Sequence, residues 1–314
     1  LLIYMLGIEK IVIRPVKKLA HFTANIIQAG RFEKQKIVLH TGDEIEELGG
    51  AVNVMIEKLE EYIENLTEVT SEKERIGAEL GVATHIQSSM LPCIFPAFPD
   101  RDEFDIYATM TPAKEVGGDF YDFFMVDDRH LAIVMADVSG KGVPAALFMV
   151  IGKTLIKDHT VPGRNLGEVF TEVNNILCES NDNGMFITAF EGVLDLVTGE
   201  FRYVNAGHEK PFIYRKGKGY EEYKTRAGFV LAGMENIKYK EQVIQLEAGD
   251  RIFQYTDGIT EATDSDKQLY GMDRLNSVLN LKCAECSPEE TLRLVKADID
   301  AFVGGADQFD DITM

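Results

Sequence analysis

From Ile45 to Val69, apolar side chains return at alternating intervals of three and four: Ile45, Leu48, Val52, Met55, Leu59, Tyr62, Leu66 and Val69. A heptad seam kept up over more than three repeats admits one local structure, a long helix with one apolar edge. The helix that carries such an edge cannot bury it alone. Upstream, Val12, Pro15, Leu19, Phe22, Ile26 and Ala29 form a second stripe of roughly five turns. Pro15 is tolerable near its start, where N–H groups lack partners anyway, and Gly30 ends it. Thr41-Gly42-Asp43-Glu44 opens the second helix, with acids in the first turn where the helix dipole favours them. Two striped helices joined by an extended connector make a parallel four-helix bundle between two chains more naturally than a packed monomer. The expectation is a homodimer held through the helical N-terminal region.

From Ser71 to Pro92 the helix continues on a changed stripe: Ile76, Leu80, Ala83, Ile86 and Met90. Lys73 falls where the heptad calls for an apolar residue, so the seam weakens there, either as a switch or as a solvated spacer. Pro92, Pro96 and Pro99 stop the helix and mark a domain boundary. At the other end, Leu1–Ile8 is mostly apolar but far short of the ~20 residues of a membrane span. Basic residues follow this run instead of preceding it, which rules out a signal peptide. With Lys10, Arg14, Lys17 and Lys18 behind it and no Met in front, it reads as the cytoplasmic end of a transmembrane helix, or else as a frayed helix start.

A length of 314 residues favours two domains. The net charge of −20 is uneven: residues 1–42 sum to +5 and residues 43–314 to −25. So acidic a body repels phosphate backbones and excludes a nucleic-acid binder. The four cysteines are scattered, and Cys283 and Cys286 lack the second pair a zinc site needs, so they read as structural thiols in a reducing compartment.

After residue 100 the pattern changes to short apolar runs separated by turns: Leu131–Ala136, Phe186–Leu194, Phe201–Asn205, Pro211–Tyr214 and Arg251–Tyr255. Helical periods occur near Leu166–Cys178 and Pro288–Phe302, with a shorter one after Met272. Thr198-Gly199-Glu200 and Gly217-Lys218-Gly219 are hairpin turns. Hairpin-paired strands with helices grouped around them predict an α+β sandwich with mainly antiparallel sheets.

Aspartates stand at the edges of these runs with glycines beside them. The four clusters are Gly117-Gly118-Asp119-Phe120-Tyr121-Asp122, Ala136-Asp137-Val138-Ser139-Gly140-Lys141-Gly142, Tyr255-Thr256-Asp257-Gly258 and Asp310-Asp311-Ile312-Thr313. Carboxylates that converge without basic partners repel one another and stay protonated, unless divalent cations sit between them. Hard oxygen donors, with no histidine or thiolate among them, select Mg²⁺ or Mn²⁺ over zinc. One Asp-Gly is usually a turn; four such clusters at strand ends are a site.

Two resemblances follow. Arg14-Pro15-Val16, the connector and Gly42-Asp43-Glu44-Ile45 resemble a HAMP domain, the dimeric relay that follows transmembrane helices in bacterial receptors. The four aspartate clusters, with Asn205-Ala206-Gly207-His208 between the second and third, occur in the order seen in the metal-dependent serine/threonine protein phosphatases. The bacterial branch with the stage II sporulation phosphatase and the phosphatases of anti-sigma-factor antagonists is the nearest in pattern. Glu79-Leu80, Ile86-Gln87 and Leu91-Pro92 resemble that branch's leading helix. The expected division is a stub at 1–12, a HAMP-like domain at 13–62, a helical linker at 63–95 and a phosphatase domain at 96–314.

The phosphatase resemblance implies an αββα sandwich of two antiparallel sheets, with two Mn²⁺ or Mg²⁺ ions at one edge activating water. It implies that Asp137 bridges the ions with the Val138 carbonyl assisting, that Asp119 serves one, and that Asp257 and Asp310 serve the other. Asp311 is the alternative to its neighbour Asp310. Lys114 is a candidate for holding the phosphate, against the plain reading of a surface lysine, and His208 reads as structural. The substrate implied is phosphoserine or phosphothreonine on a signalling protein such as an anti-sigma-factor antagonist. In one departure, Glu209-Lys210-Pro211 stands where the family has Asn-Pro-Pro. In another, the chain stops at Met314, inside the expected last strand.

Rival readings account for less. Gly117-Gly118-Asp119 mimics a diguanylate cyclase hairpin, but Phe120 and Tyr121 replace the acid that must follow. His85 faintly echoes a histidine kinase, without the adjoining acid or a downstream nucleotide loop. None of the four cysteines has an arginine six residues on, as thiol phosphatases require, and Gly140-Lys141-Gly142 lacks the rest of a phosphate-binding loop. A pseudophosphatase scaffold would be favoured by a missing aspartate; all are present.

Overall fold

The computed structural model describes residue 5 and residues 7–29, 36–179 and 181–314. Most of the Leu1–Ile8 stub and the Gly30 helix stop lie outside the described residues. The chain divides into two compact units, Leu1–Glu79 and Leu80–Met314.

In the first unit a π-helical turn, Glu9–Ile13, leads into α1, Arg14–Ala29. The helical winding therefore begins upstream of Pro15, not beside it. Proline has no N–H to offer the preceding turn, and there the backbone is wound wider, with the Arg14 N–H donating to the Glu9 carbonyl five residues back. Helix α2 then runs unbroken for 47 residues, Glu44–Met90, past Lys73. Asp43 starts it, its Oδ1 accepting from the Ile45 N–H at 3.0 Å, while Glu46 reaches back to the Gly42 N–H at 2.8 Å.

The seam of α2 divides instead of facing one way. Ile45 and Val52 pack with Leu19 and Phe22 of α1 and with Ile37 and Leu39 of the connector. Ile37 and Leu39 are buried and Val38 between them is exposed, the alternation of an extended segment. Asn53 anchors that segment, accepting from the Ile37 N–H at 2.9 Å and donating to its carbonyl at 2.8 Å. Leu48, Met55, Leu59, Tyr62, Leu66 and Val69 remain exposed. No helix of the described residues is long and apolar enough to cross a membrane.

The described residues of the second unit form ten strands: β1 (Met110–Thr111), β2 (Phe120–Met125), β3 (His130–Val138), β4 (Ile187–Asp195), β5 (Glu200–Ala206), β6 (Phe212–Arg215), β7 (Gly219–Glu222), β8 (Gln242–Gln245), β9 (Arg251–Phe253) and β10 (Ile312–Thr313). They form sheets ordered β2-β3-β4-β5-β8, β7-β6-β9 and β1-β10, and every ladder between named strands is antiparallel. The helices are α3 (Val143–His159), α4 (Leu166–Glu179), α5 (Asp257–Thr260), α6 (Gly271–Lys282) and α7 (Pro288–Val303).

Four layers result: the hairpin turns predict the antiparallel sandwich, and the phosphatase resemblance implies the helices on both of its faces. Ala132, Val134, Ala136 and Val138 of β3 pack under Met149 and Ile156 of α3 and Val169 and Val173 of α4. Phe190, Phe201 and Tyr203 meet Ile213 of β6 between the sheets. On β6 the neighbouring Phe212 points the other way, into Leu275 and Leu279 of α6 and Val295 and Ile299 of α7. Period-two alternation thus assigns each sheet face to its layer. Helix α3 is absent from the sequence reading. It buries Ala145, Phe148, Met149 and Ile156 yet also carries apolar Val143, Leu147 and Ile151 on its exposed side, so no polar stripe marks its period.

One carboxyl lies inside the helix-facing layer. Glu191 of β4 is fully buried; its Oε1 accepts from the Thr160 hydroxyl at 2.7 Å, and its Oε2 has no partner among the described residues. Burial pushes it from an ordinary 4.5 up to about 8. The folded chain keeps that proton where the unfolded chain loses it, so stability falls as pH rises through this window. Replacing Glu191 by Gln should leave the melting temperature near pH 5 little changed and raise it clearly at pH 8, as followed by circular dichroism.

Candidate metal centre

The four aspartate clusters meet at one edge of the second unit. Asp119 stands immediately before β2, and Asp137 is the penultimate residue of β3. Asp310 and Asp311 directly precede β10. Asp257 is not at the end of β9 but four residues on, opening the short helix α5 behind Thr256.

Each carboxylate has a distinct set of partners. Asp119 is buried, and its Oδ2 accepts from the hydroxyls of Thr256 and Thr313 at 2.7 and 2.6 Å. Asp311 is also buried, and it accepts from three backbone N–H groups: Ala113 at 2.8 Å, Gly118 at 2.7 Å and Asp119 at 3.4 Å. Asp310 turns instead toward Lys141, whose Nζ lies 2.9 Å from its Oδ2. That ammonium also donates to the Phe309 carbonyl and sits 3.9 Å over the Phe309 ring.

Close backbone approach makes the arrangement possible. A Cβ on Gly118 would stand 2.7 Å from the Val138 carbonyl oxygen, and one on Gly258 would collide with the Asp311 carbonyl. These glycines are required by contact, not by dihedral angle.

The electrostatics follow from the crowding. Burial raises Asp119 well above the ordinary carboxylate range, and the charges of Asp137 and Asp311 push the same way. Asp137 is raised to about 7 by loss of solvent and then by Asp257 and Asp310, with a hydrogen bond to Asp119 opposing. Asp257 rises to about 6 through burial and the charges of Glu261, Asp310 and Glu209. Glu209, where the chain departs from the family pattern, thus adds negative charge beside Asp257.

The structure therefore gathers Asp119, Asp137, Asp257, Asp310 and Asp311 into one electrostatic group. Among the described residues, however, no three His, Cys, Asp or Glu side chains stand ready to hold an ion. The repelling carboxylates take protein partners instead: Asp119 two hydroxyls, Asp310 an ammonium, Asp311 three peptides. The donor set is all oxygen and suits a hard divalent cation, which would relieve the same repulsion.

Lys114 is exposed and forms no ion pair among the described residues. The cation at the carboxylates is Lys141, four residues after Asp137 in the second cluster, where its position in the motif was the available signal. Thr256 and Thr313 likewise stood inside the third and fourth clusters. His208 is buried, hydrogen-bonded through Nδ1 to Thr188 at 2.9 Å, and lowered by burial to about 4, which keeps it neutral and structural. His85 is exposed on α2.

Comparison with known proteins follows the same outline. The family model described as stage II sporulation protein E (SpoIIE) matches residues 127–314. Protein IcfG of Synechocystis is 32% identical over 299 residues, covering 87% of this chain and 46% of that protein. Phosphoserine phosphatase RsbU of Bacillus subtilis is 33% identical over 190 residues, covering 60% of this chain and 55% of that protein. The chain thus spans about half the length of the curated relatives it matches. The SiaA PP2C domain of Pseudomonas aeruginosa superposes with a TM-score of 0.66 at 22% identity, covering 77% of this chain and 96% of that one, and so shares its fold.

The glycine contacts give a direct check. Gly258→Ala drives a Cβ onto backbone and should cost about 1–3 kcal/mol in urea unfolding. Gly50→Ala meets nothing within 4 Å on α2 and should instead gain up to about 1 kcal/mol.

Proposed function

The chain belongs to the stage II sporulation protein E family, and on that premise we propose that it is a metal-dependent serine/threonine protein phosphatase acting on a phosphorylated signalling protein. The observation that carries this reading is the buried carboxylate group itself. Asp119, Asp137 and Asp257 are all held toward protonation, the state expected of a hard-cation site read from its protein alone.

The donors we assign are Asp119, Asp137 with the Val138 carbonyl, Asp257 and Asp310, serving two Mn²⁺ or Mg²⁺ ions. Asp311 is left out of that set because its oxygens already accept three N–H groups and hold the loop before β2. Bound divalent cations would supply Lewis acidity to a phosphoryl group and to water. The protein's part is preorganisation. Thr256 and Thr313 fix the Asp119 carboxylate in one orientation, and Lys141 holds Asp310, which puts an ammonium beside the proposed donors. Lys141 therefore replaces Lys114 in the proposed phosphate contact. The proposed substrate is a phosphoserine or phosphothreonine on a protein of the anti-sigma-factor-antagonist class, a reading supported by the kinship to a protein named phosphoserine phosphatase.

Upstream, the proposal keeps a HAMP-like relay at 13–62, a helical linker at 63–95 and a phosphatase domain at 96–314. The exposed half of the α2 seam supports a homodimer, and the basic residues Lys10, Arg14, Lys17 and Lys18 support a membrane-proximal position.

Asp137→Asn should preserve the circular dichroism spectrum and abolish Mn²⁺-dependent release of phosphate from a phosphoserine peptide. Full turnover by that variant, or by the parent in excess EDTA, would overturn the mechanism. Assembly is tested separately. Replacing Leu48 and Met55 by Glu places unpaired charge in the seam, which is strongly unfavourable once buried. Light scattering should then report a monomer whose second unit still melts cooperatively.

A further inference from the structure

Gln87, in the last turn of α2, is only 7% exposed. Its Nε2 donates to the Gly117 carbonyl at 2.6 Å, and its Oε1 accepts from the Gly117 N–H at 3.2 Å. Both polar groups of one backbone residue thus end on a single side-chain amide. A buried peptide requires such partners. Donor and acceptor together also close a ring that resists rotation of the residue, which a single bond does not.

The other side of that segment is the carboxylate group. A Cβ on Gly117 would collide with the Asp311 carboxylate, and the next two N–H groups, Gly118 and Asp119, donate to it. Gly118 lies against the Val138 carbonyl, and Asp119 follows directly. Residues 117–119 are therefore held by Gln87 on one flank and by the candidate centre on the other. Two neighbouring bonds keep this helix end in register: Thr84 donates to the Glu115 carbonyl at 2.5 Å, and the Tyr121 hydroxyl donates to the Pro92 carbonyl at 2.8 Å.

We propose that Gln87 is a positioning residue for the carboxylate site. Its amide fixes the Gly117 peptide, and through it the Gly118 N–H, the Asp119 carboxylate and the bonds that hold Asp311. The consequence for catalysis rests on the phosphatase reading above; the consequence for the loop does not. The role needs a donor and an acceptor at once. Methionine matches the shape of glutamine and offers neither. Ionised glutamate offers only acceptors, one of them facing the Gly117 carbonyl. Protonated glutamate offers both and restores the ring.

The test compares Gln87→Met and Gln87→Glu with the parent in the full chain. In excess EDTA at pH 9, above the range to which burial lifts Glu191, amide hydrogen exchange at Gly117 and Gly118 should quicken about tenfold in both variants, the loss of one net hydrogen bond. Mn²⁺ affinity by calorimetry should weaken by about tenfold, and kcat on a phosphoserine peptide should fall more than KM changes. As pH is lowered toward 5.5, Gln87→Glu should approach the parent measured at the same pH, while Gln87→Met keeps its deficit. Comparison at equal pH cancels the titration of the site's own carboxylates. Unchanged exchange at Gly117 and Gly118, or identical pH behaviour of the two variants, would overturn the proposal. If the parent neither binds Mn²⁺ nor turns over, the phosphatase reading fails, and the exchange measurement still decides the role of Gln87. Should a Gln87 variant not fold, Thr84→Val removes the hydroxyl that bonds the Glu115 and Leu80 carbonyls and should show the same exchange change at about threefold, with no change counting against the proposal.

Discussion

The second unit depends on a single carboxylate. Asp311 accepts N–H groups from Ala113, Gly118 and Asp119 and so binds the end of the chain to the segment before β2, some 190 residues earlier. Around that junction β10 pairs with β1, and the Thr313 hydroxyl reaches Asp119. Thr256, just before α5, is drawn into the same knot: its hydroxyl donates to Asp119 and accepts from the Thr313 N–H, and its own N–H donates to the Thr313 carbonyl. Strand ends that lie far apart in the chain become one site because a buried acceptor must find donors, and here the donors are peptides of the segment before β2.

Against that fixed anchor the remaining carboxylates are crowded. Lys141 answers only one of them, Asp310, and Glu209 and Glu261 add negative charge beside Asp257. Such a group has two ways to remain folded: hold protons or hold cations. This balance is why the site's donor chemistry, more than its present spacing, points to a divalent ion.

The same small device recurs where a loop must be held without a strand. Asn53 pairs with the Ile37 peptide, Gln87 with Gly117, and Asn205 with His208, each amide giving and receiving one bond. Two of the three lie on the single helix α2, one toward the connector and one toward the loop before Asp119.

Period and residue type are carried by near neighbours, and they were legible in the sequence. The heptad of α2, the strands Leu131–Ala136 and Phe201–Asn205, the turns at Gly199 and Gly217, and the oxygen-only donor set all follow from spacing and side-chain chemistry. Helix α3 escaped because its outer face is as apolar as its inner one, and the seam of α2 read as a single face because nothing local announces that Ile37 and Leu39 will cover part of it. Contacts across great sequence distance decided the rest. Asp310 and Asp311 are indistinguishable as neighbours, yet one meets an ammonium and the other three peptides. Lys114 and Lys141 are the same residue type, yet among the described residues only the second is brought to a carboxylate. Gln87 belongs to a pattern that marks the leading helix, yet nothing local says what its amide will hold; it becomes a clamp because folding lays the Gly117 peptide against it. A side chain's type is local, but its protonation and its partners belong to whatever the fold places beside it.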